Sequence, residues 1–150
     1  YEPIENIHRD QILYTSSIPA SINAEMSKLA QKQSEIIADS LNYIGTMCVE
    51  YFVDQEQRIY VNEIAPRVHN SGHLTLEAYD CSQFESHIRA VCNLKKKEPK
   101  KIKDAQMFNI IGEEINRYRN KPLLENSFFY DYEKKTIKTG RKMGHLTKIT

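Results

Sequence analysis

No stretch of the 150 residues approaches the roughly 18 consecutive apolar side chains that a membrane-spanning helix needs, so a transmembrane reading fails. A dominant charge is also missing. The 21 Lys and Arg stand against 20 Asp and Glu, and a net charge of +1 gives no global drive toward nucleic acid or a membrane surface. Cysteine is scarce: Cys48, Cys81 and Cys92 are odd in number, far apart and in no Cys-x-x-Cys spacing. That argues against a disulfide framework or a zinc ribbon and fits reduced thiols in a cytoplasm, each serving as a small buried hydrophobe. Neither a glycine-rich phosphate loop nor an internal repeat occurs. At Tyr1-Glu2-Pro3-Ile4 there is no initiator Met, no apolar signal core and no cleavage site, and the sequence opens as the interior of a longer chain would.

What is present is ordinary in bulk, with 40% hydrophobic and 27% charged residues, enough for one domain with a core or one domain plus a small appendage. Gln11–Ile18 is β-rich and closes at Pro19. From Ser21 the spacing of Ile22, Met26, Leu29, Ile36, Ile37 and Leu41 predicts a helix laid over a sheet, ending at Gly45. Thr46–Val53 and Ile59–Ile64 are β-branched and aromatic, and the polar residues between them predict a hairpin. A second helix is predicted over Ser82–Asn93, with Phe84, Ile88 and Val91 facing inward. Leu94–Asp104 is a basic, Pro-containing linker. Beyond it come strands at Met107–Ile111, Phe128–Tyr132 and from Met143, with a short helix near Glu113–Arg119. The coarse picture is an α/β sandwich followed by a small mixed appendage.

Two acids interrupt the hairpin's apolar runs. If Gln55 lies opposite Arg58, Glu50 lies opposite Glu63, and like charges directly paired repel. A slip by one places Asn62 there instead, and the register stays open. A divalent cation would reconcile the acids, because Mg²⁺ uses one or two carboxylates plus nucleotide phosphate oxygens. The alternative is an ion pair of one acid with Arg67 and solvation of the other. The loop after the hairpin is dense in capable groups: Arg67 offers a fork for carboxylate or phosphate, and His69 and His73 can exchange protons. Gly72 and Asn70-Ser71 disfavour a helix there, and with it a helical zinc pair of the two histidines.

The run NEIAPRVHNSGHLTLEAYDCSQFESHIRAV, residues 62–91, resembles the signature segment of the N5-carboxyaminoimidazole ribonucleotide synthetases, a family of ATP-grasp enzymes. The likeness extends upstream to ENIHRDQIL and downstream to GRKMGHL, nearly the whole chain. It implies an α+β fold: the C-terminal half of an ATP-grasp domain, an antiparallel sheet with covering helices, over residues 1–93, the basic linker 94–104, and a small mixed C-terminal domain over 105–150. It implies ATP as cofactor, with Mg²⁺ or alternatively Mn²⁺, and aminoimidazole ribonucleotide and bicarbonate as substrates, in a cytoplasmic homodimer with no nucleic-acid or membrane partner. Glu50 and Glu63 match the family's metal-binding acids, while Asn62, Glu63 and His8 match nucleotide-site residues. Arg67 and His69 match residues near the bicarbonate-derived intermediate and the substrate, Asn70 and Ser71 flank them on the substrate side, and Lys134 and Arg141 match ligands of the ribonucleotide phosphate. Tyr132-Glu133-Lys134 departs from the family's Tyr-Gly-Lys, which keeps Lys135 as an alternative. The family's N-terminal domain and lid lie outside these residues, so the 150 residues alone would be inactive. A related ATP-grasp enzyme, the formate-dependent glycinamide ribonucleotide transformylase, carries Ser-Pro-Arg-Pro-His where Ala65-Pro66-Arg67-Val68-His69 stands here. A nucleic-acid module working through Lys95–Lys103 lacks the interleaved aromatics that stacking requires.

Overall fold

The computed structural model describes residues 1–119 and 121–150. Strands β1 (Glu5–Arg9) and β2 (Ile12–Ile18) form a hairpin, and helix α1 (Ala24–Ser40) follows. Asn23 caps α1, its side chain accepting the Met26 N–H at 2.8 Å, so the helix begins three residues later than the apolar pattern alone predicts. Strands β3 (Cys48–Val53) and β4 (Ile59–Ala65) form the expected hairpin. Asp54 shapes its turn by accepting the N–H groups of Glu56 and Arg58, each at 2.9 Å. A 3-10 turn (Asn70–Leu74) then runs into a four-residue helix, α2 (Thr75–Ala78), and on to α3 (Gln83–Val91), capped by Ser82. Strand β5 (Ala105–Ile111), a 3-10 segment (Gly112–Arg117), β6 (Ser127–Asp131) and β7 (Lys142–Ile149) complete the chain. The short helix expected near Glu113–Arg119 is thus a 3-10 turn starting at Gly112, whose φ of +54° suits glycine.

Five strands make one antiparallel sheet in the order β1-β2-β5-β7-β6, and β3-β4 stand apart as a two-stranded sheet. The chain segments before and after residues 94–104 therefore share hydrogen bonds, with Thr15 opposite Phe108 and Ile18 opposite Ala105. One sheet face packs Ile18, Ala105 and Met107 beneath Leu74, Ala78 and Tyr79. The other buries Ile110 and Leu146 under Ile115, joined by Met143, the extra residue where the β5–β7 register shifts. Lysines of the 94–104 segment are engaged locally: Lys101 reaches Glu2 at 3.0 Å and Asp104 at 3.1 Å, and Lys96 reaches Glu98 at 2.6 Å.

Two packing expectations fail. Of the α1 stripe only Met26 is buried, joined by Ala30 from outside it, while Ile36 and Leu41 are more than half exposed. In α3, Ile88 and Val91 are exposed, and the buried residue is polar Gln83. Apolar periodicity marks the side of a helix able to be covered and does not supply the cover. Nor are the three thiols alike, because Cys81 is buried, Cys48 partly so, and Cys92 exposed at the end of α3. No helix among the described residues is long and apolar enough to cross a membrane.

Candidate functional site

Glu50 and Glu63 are direct partners across β3–β4. They reach this pairing by a route that the sequence did not disclose. Near the turn Val53 pairs with Ile59, so Gln55 is not opposite Arg58, and the register then shifts between Glu50 and Tyr51 with Asn62 as the extra residue. A bulge sets two residues of one strand against one of the other and re-aims their side chains. Asn62 and Glu63 both address Glu50 as a result, and Asn62 Nδ2 donates to Glu50 Oε2 at 3.3 Å.

His69 completes the group. Its Nε2 lies 3.4 Å from Glu50 Oε1 and 4.0 Å from Glu63 Oε1, and one atom of each residue falls within 4.8 Å of the others. The His69 and Glu50 side chains are 12% and 14% exposed, that of Glu63 55%. Burial pushes the imidazole pKa down, and the attraction of Glu50 and Glu63 offsets this only in part. Ser71 sets the tautomer: its backbone N–H points at Nδ1 from 3.4 Å and its hydroxyl sits 2.8 Å away, leaving hydrogen on Nε2, toward Glu50. Arg67, the countercharge that an ion pair with one acid would require, donates instead to the Val68 carbonyl at 2.9 Å. Two paired carboxylates, faced by an amide and an imidazole with Lys142 acting on Glu50, fit a hard divalent cation.

A cavity of about 680 Å³ opens beside this group, and its wall includes His8, Glu50, Asn62, His69, Ser71 and Gln83. His8 belongs to β1, exposed where the β1–β2 register shifts. Asn70 turns the other way, toward the five-stranded sheet. Its amide exchanges hydrogen bonds of 3.0 and 2.7 Å with Asn109, which also donates to the Leu13 carbonyl at 3.0 Å. Lys134 donates to the Lys142 carbonyl at 2.6 Å, with its ammonium 5.3 Å from the Tyr132 ring, whereas Lys135 is exposed. Arg141 is exposed and reaches the Thr136 carbonyl at 3.2 Å.

Two residues at the site carry no sequence signal of their own. Lys142 is partly buried, and its pKa is lowered by burial, against the pull of Glu50 and together with the push of Lys134. In the sequence it is one more lysine beside Arg141. Gln83 is a polar residue at a helix start, where polarity ordinarily means solvent; the only hint is Gly72, eleven residues upstream, which leaves it room.

Residues 1–84 match the family model of the ATP-grasp domain. The chain belongs to the ATP-grasp family. Residues 105–150 match a second model, the phosphoribosylaminoimidazole carboxylase C-terminal domain. Among ATP-grasp relatives, the N5-carboxyaminoimidazole ribonucleotide synthase of Bacillus subtilis (strain 168) is 43% identical over 144 residues, covering 95% of this chain and 38% of the relative. The structure of N5-carboxyaminoimidazole synthetase from Staphylococcus aureus complexed with ADP superposes with a TM-score of 0.90 at 39% identity, covering 100% of this chain and 41% of that one. The Aspergillus clavatus synthase in complex with ADP and 5-aminoimidazole ribonucleotide gives 0.93 at 30% identity, covering 100% and 42%. The chain spans about two fifths of the length of these relatives. The α+β, ATP-grasp fold class expected from the resemblance holds.

Proposed function

We propose that the complete protein is an ATP-dependent carbon–nitrogen ligase that carboxylates 5-aminoimidazole ribonucleotide with bicarbonate, giving N5-carboxyaminoimidazole ribonucleotide for purine synthesis. The observation that carries this reading is the convergence of Glu50, Glu63 and Asn62 through the β4 bulge, with His69 against them. In the proposed reaction a bicarbonate oxygen takes the γ-phosphoryl group of ATP and ADP leaves. The substrate amine then attacks the carboxyl carbon of carboxyphosphate, losing a proton as phosphate departs.

Glu50 and Glu63 would hold Mg²⁺ or Mn²⁺, which when bound supplies charge neutralisation to the phosphoryl group in transfer. Asn62 and His8 would contact the nucleotide from the cavity wall. Arg67 would hold the negative charge that develops on the carboxyl unit, and His69 would orient it by donating from Nε2–H or, in the tautomer with hydrogen on Nδ1, relay the amine proton through Nε2. Asn70 and Ser71 would fix the substrate side of that loop. Lys134 and Arg141 would grip the ribonucleotide phosphate, with Lys142 close by; Lys134 and Lys142 repel each other until an anion joins them. The three free thiols support a cytoplasmic location, and the homodimer and the boundary at 94–104 belong to the same proposal.

The test is Glu63→Gln in the complete protein, which keeps shape and removes charge. ATP turnover dependent on aminoimidazole ribonucleotide is expected to fall by roughly 10²-fold or more, as for loss of a transition-state charge stabiliser. Retained turnover removes the metal role. Stimulation of ATP hydrolysis by glycinamide ribonucleotide with formate, and none by aminoimidazole ribonucleotide, transfers the protein to the transformylase reading.

A further inference from the structure

Gln83 lies at the first turn of α3 with 3% of its surface exposed, and its side-chain amide is wholly committed. Oε1 accepts the His69 N–H at 2.9 Å, and Nε2 donates to the His69 carbonyl at 2.7 Å. These two bonds fix which end of the amide is which, so the contact of Nε2 with His73 Nδ1 at 2.9 Å is donation to an acceptor nitrogen. The backbone is tied in as well. The Gln83 N–H donates to Thr75 Oγ1 at 2.9 Å, and that hydroxyl donates to the Gly72 carbonyl at 2.6 Å. Gly72 makes the approach feasible, since a Cβ there would stand 2.6 Å from Gln83 Oε1.

We infer that Gln83 is the positioning residue of the site: by clasping both backbone polar groups of His69 and the ring of His73, it sets where the His69 imidazole stands against Glu50 and Glu63. The loop has no regular ladder between the end of β4 at Ala65 and the 3-10 turn at Asn70, so its placement needs side-chain partners. Gln83 acts through His69 and reaches no reacting group itself. The inference rests on the role proposed above for His69, and its test separates the two.

In the complete protein, Gln83→Met keeps the volume and deletes all three amide bonds. Because a misplacement near 1 Å can cost on the order of 10²-fold, kcat is expected to drop roughly 10- to 100-fold while the KM for ATP stays within about twofold. Combined with His69→Ala, it is expected to add nothing to the loss from His69→Ala alone, as residues acting through one another do. Multiplying losses in the double variant, or an unchanged kcat in Gln83→Met, overturns the inference. Wild-type kcat in His69→Ala removes the His69 role and the inference with it. A second measurement stands free of activity and of the variant's folding: nitrogen NMR of the unsubstituted protein is expected to find His73 with hydrogen on Nε2 and an accepting Nδ1. Hydrogen on Nδ1 breaks the clasp and ends the inference.

Discussion

Lys134 and Arg141 carry the proposed phosphate contacts, and their surroundings assign them different burdens. Lys134 is partly buried, bonded to the Lys142 carbonyl, and near a second ammonium whose pKa is already lowered. Arg141 is exposed and spends one N–H on the Thr136 carbonyl, leaving the rest of its fork free. A free fork is suited to bidentate phosphate binding, and its removal leaves no buried group unpaired. Arg141→Ala is therefore expected to raise the KM for the ribonucleotide roughly tenfold, with kcat within about twofold and stability unchanged, because uniform binding energy is lost. Steady-state kinetics with the ribonucleotide varied decides it; an unchanged KM removes Arg141 from the phosphate site. The residue types at this scale were legible in the sequence. Their orientation was not: Arg67 turns from the acids, Asn70 turns into the sheet, and Lys142 was passed over for its neighbour.

At the scale of elements, hydrophobic alternation read the two hairpin strands and most of the sheet correctly, because period-2 patterning is set by burial on one face. It could not disclose the extra residues at Asn62 and Met143, since a bulge leaves the apolar pattern nearly intact while shifting the partners by one. The strand pairs across β6–β7 depend on another unannounced feature. Gly144 sits opposite Asp131 and Ile110, and a Cβ there would stand 2.3 Å from the Tyr130 carbonyl oxygen and 3.3 Å from Ile115 Cδ1. The nearer obstacle is backbone, which cannot swing aside as a side chain can. Gly144→Ala is expected to cost roughly 1–3 kcal/mol or more by forcing β6 away from β7. The Tm should fall by several degrees, on the order of 3 °C per kcal/mol for a chain of this size. Thermal unfolding that matches the wild type shows that the two strands can part there freely.

At the scale of the whole molecule, a buried polar seam ties the 3-10 turn and α3 to the five-stranded sheet, and that seam governs how stability responds to pH. His73 takes a hydrogen bond from Gln83 and packs 5.1 Å from Phe84 and 5.2 Å from His145. His145 is bonded to the Tyr132 hydroxyl at 2.9 Å and stacked on Tyr130 at 4.7 Å. Among the charged neighbours, His69 and Lys142 push the His73 pKa down while the His69 backbone pulls it up, and His73 pushes that of His145 down. Burial is the larger cause, and it brings His73 down to about 4 and His145 to about 3. Both folded-state values lie below the unfolded value near 6.5, so the folded protein refuses protons that the unfolded chain accepts. The contribution is complete above about pH 6.5. It drains away as pH falls toward 4 for His73 and toward 3 for His145. At pH 4.5 the loss is about 2–3 kcal/mol per histidine relative to pH 7, before any contribution from carboxylates. Urea unfolding at pH 7, 5.5 and 4.5 should show the midpoint falling at each step, with close to two protons taken up on unfolding at pH 4.5 and none at pH 8. A midpoint that holds steady between pH 7 and 5.5, with no proton uptake at 5.5, means that the two rings are already charged in the folded protein and that the seam is not the neutral one described.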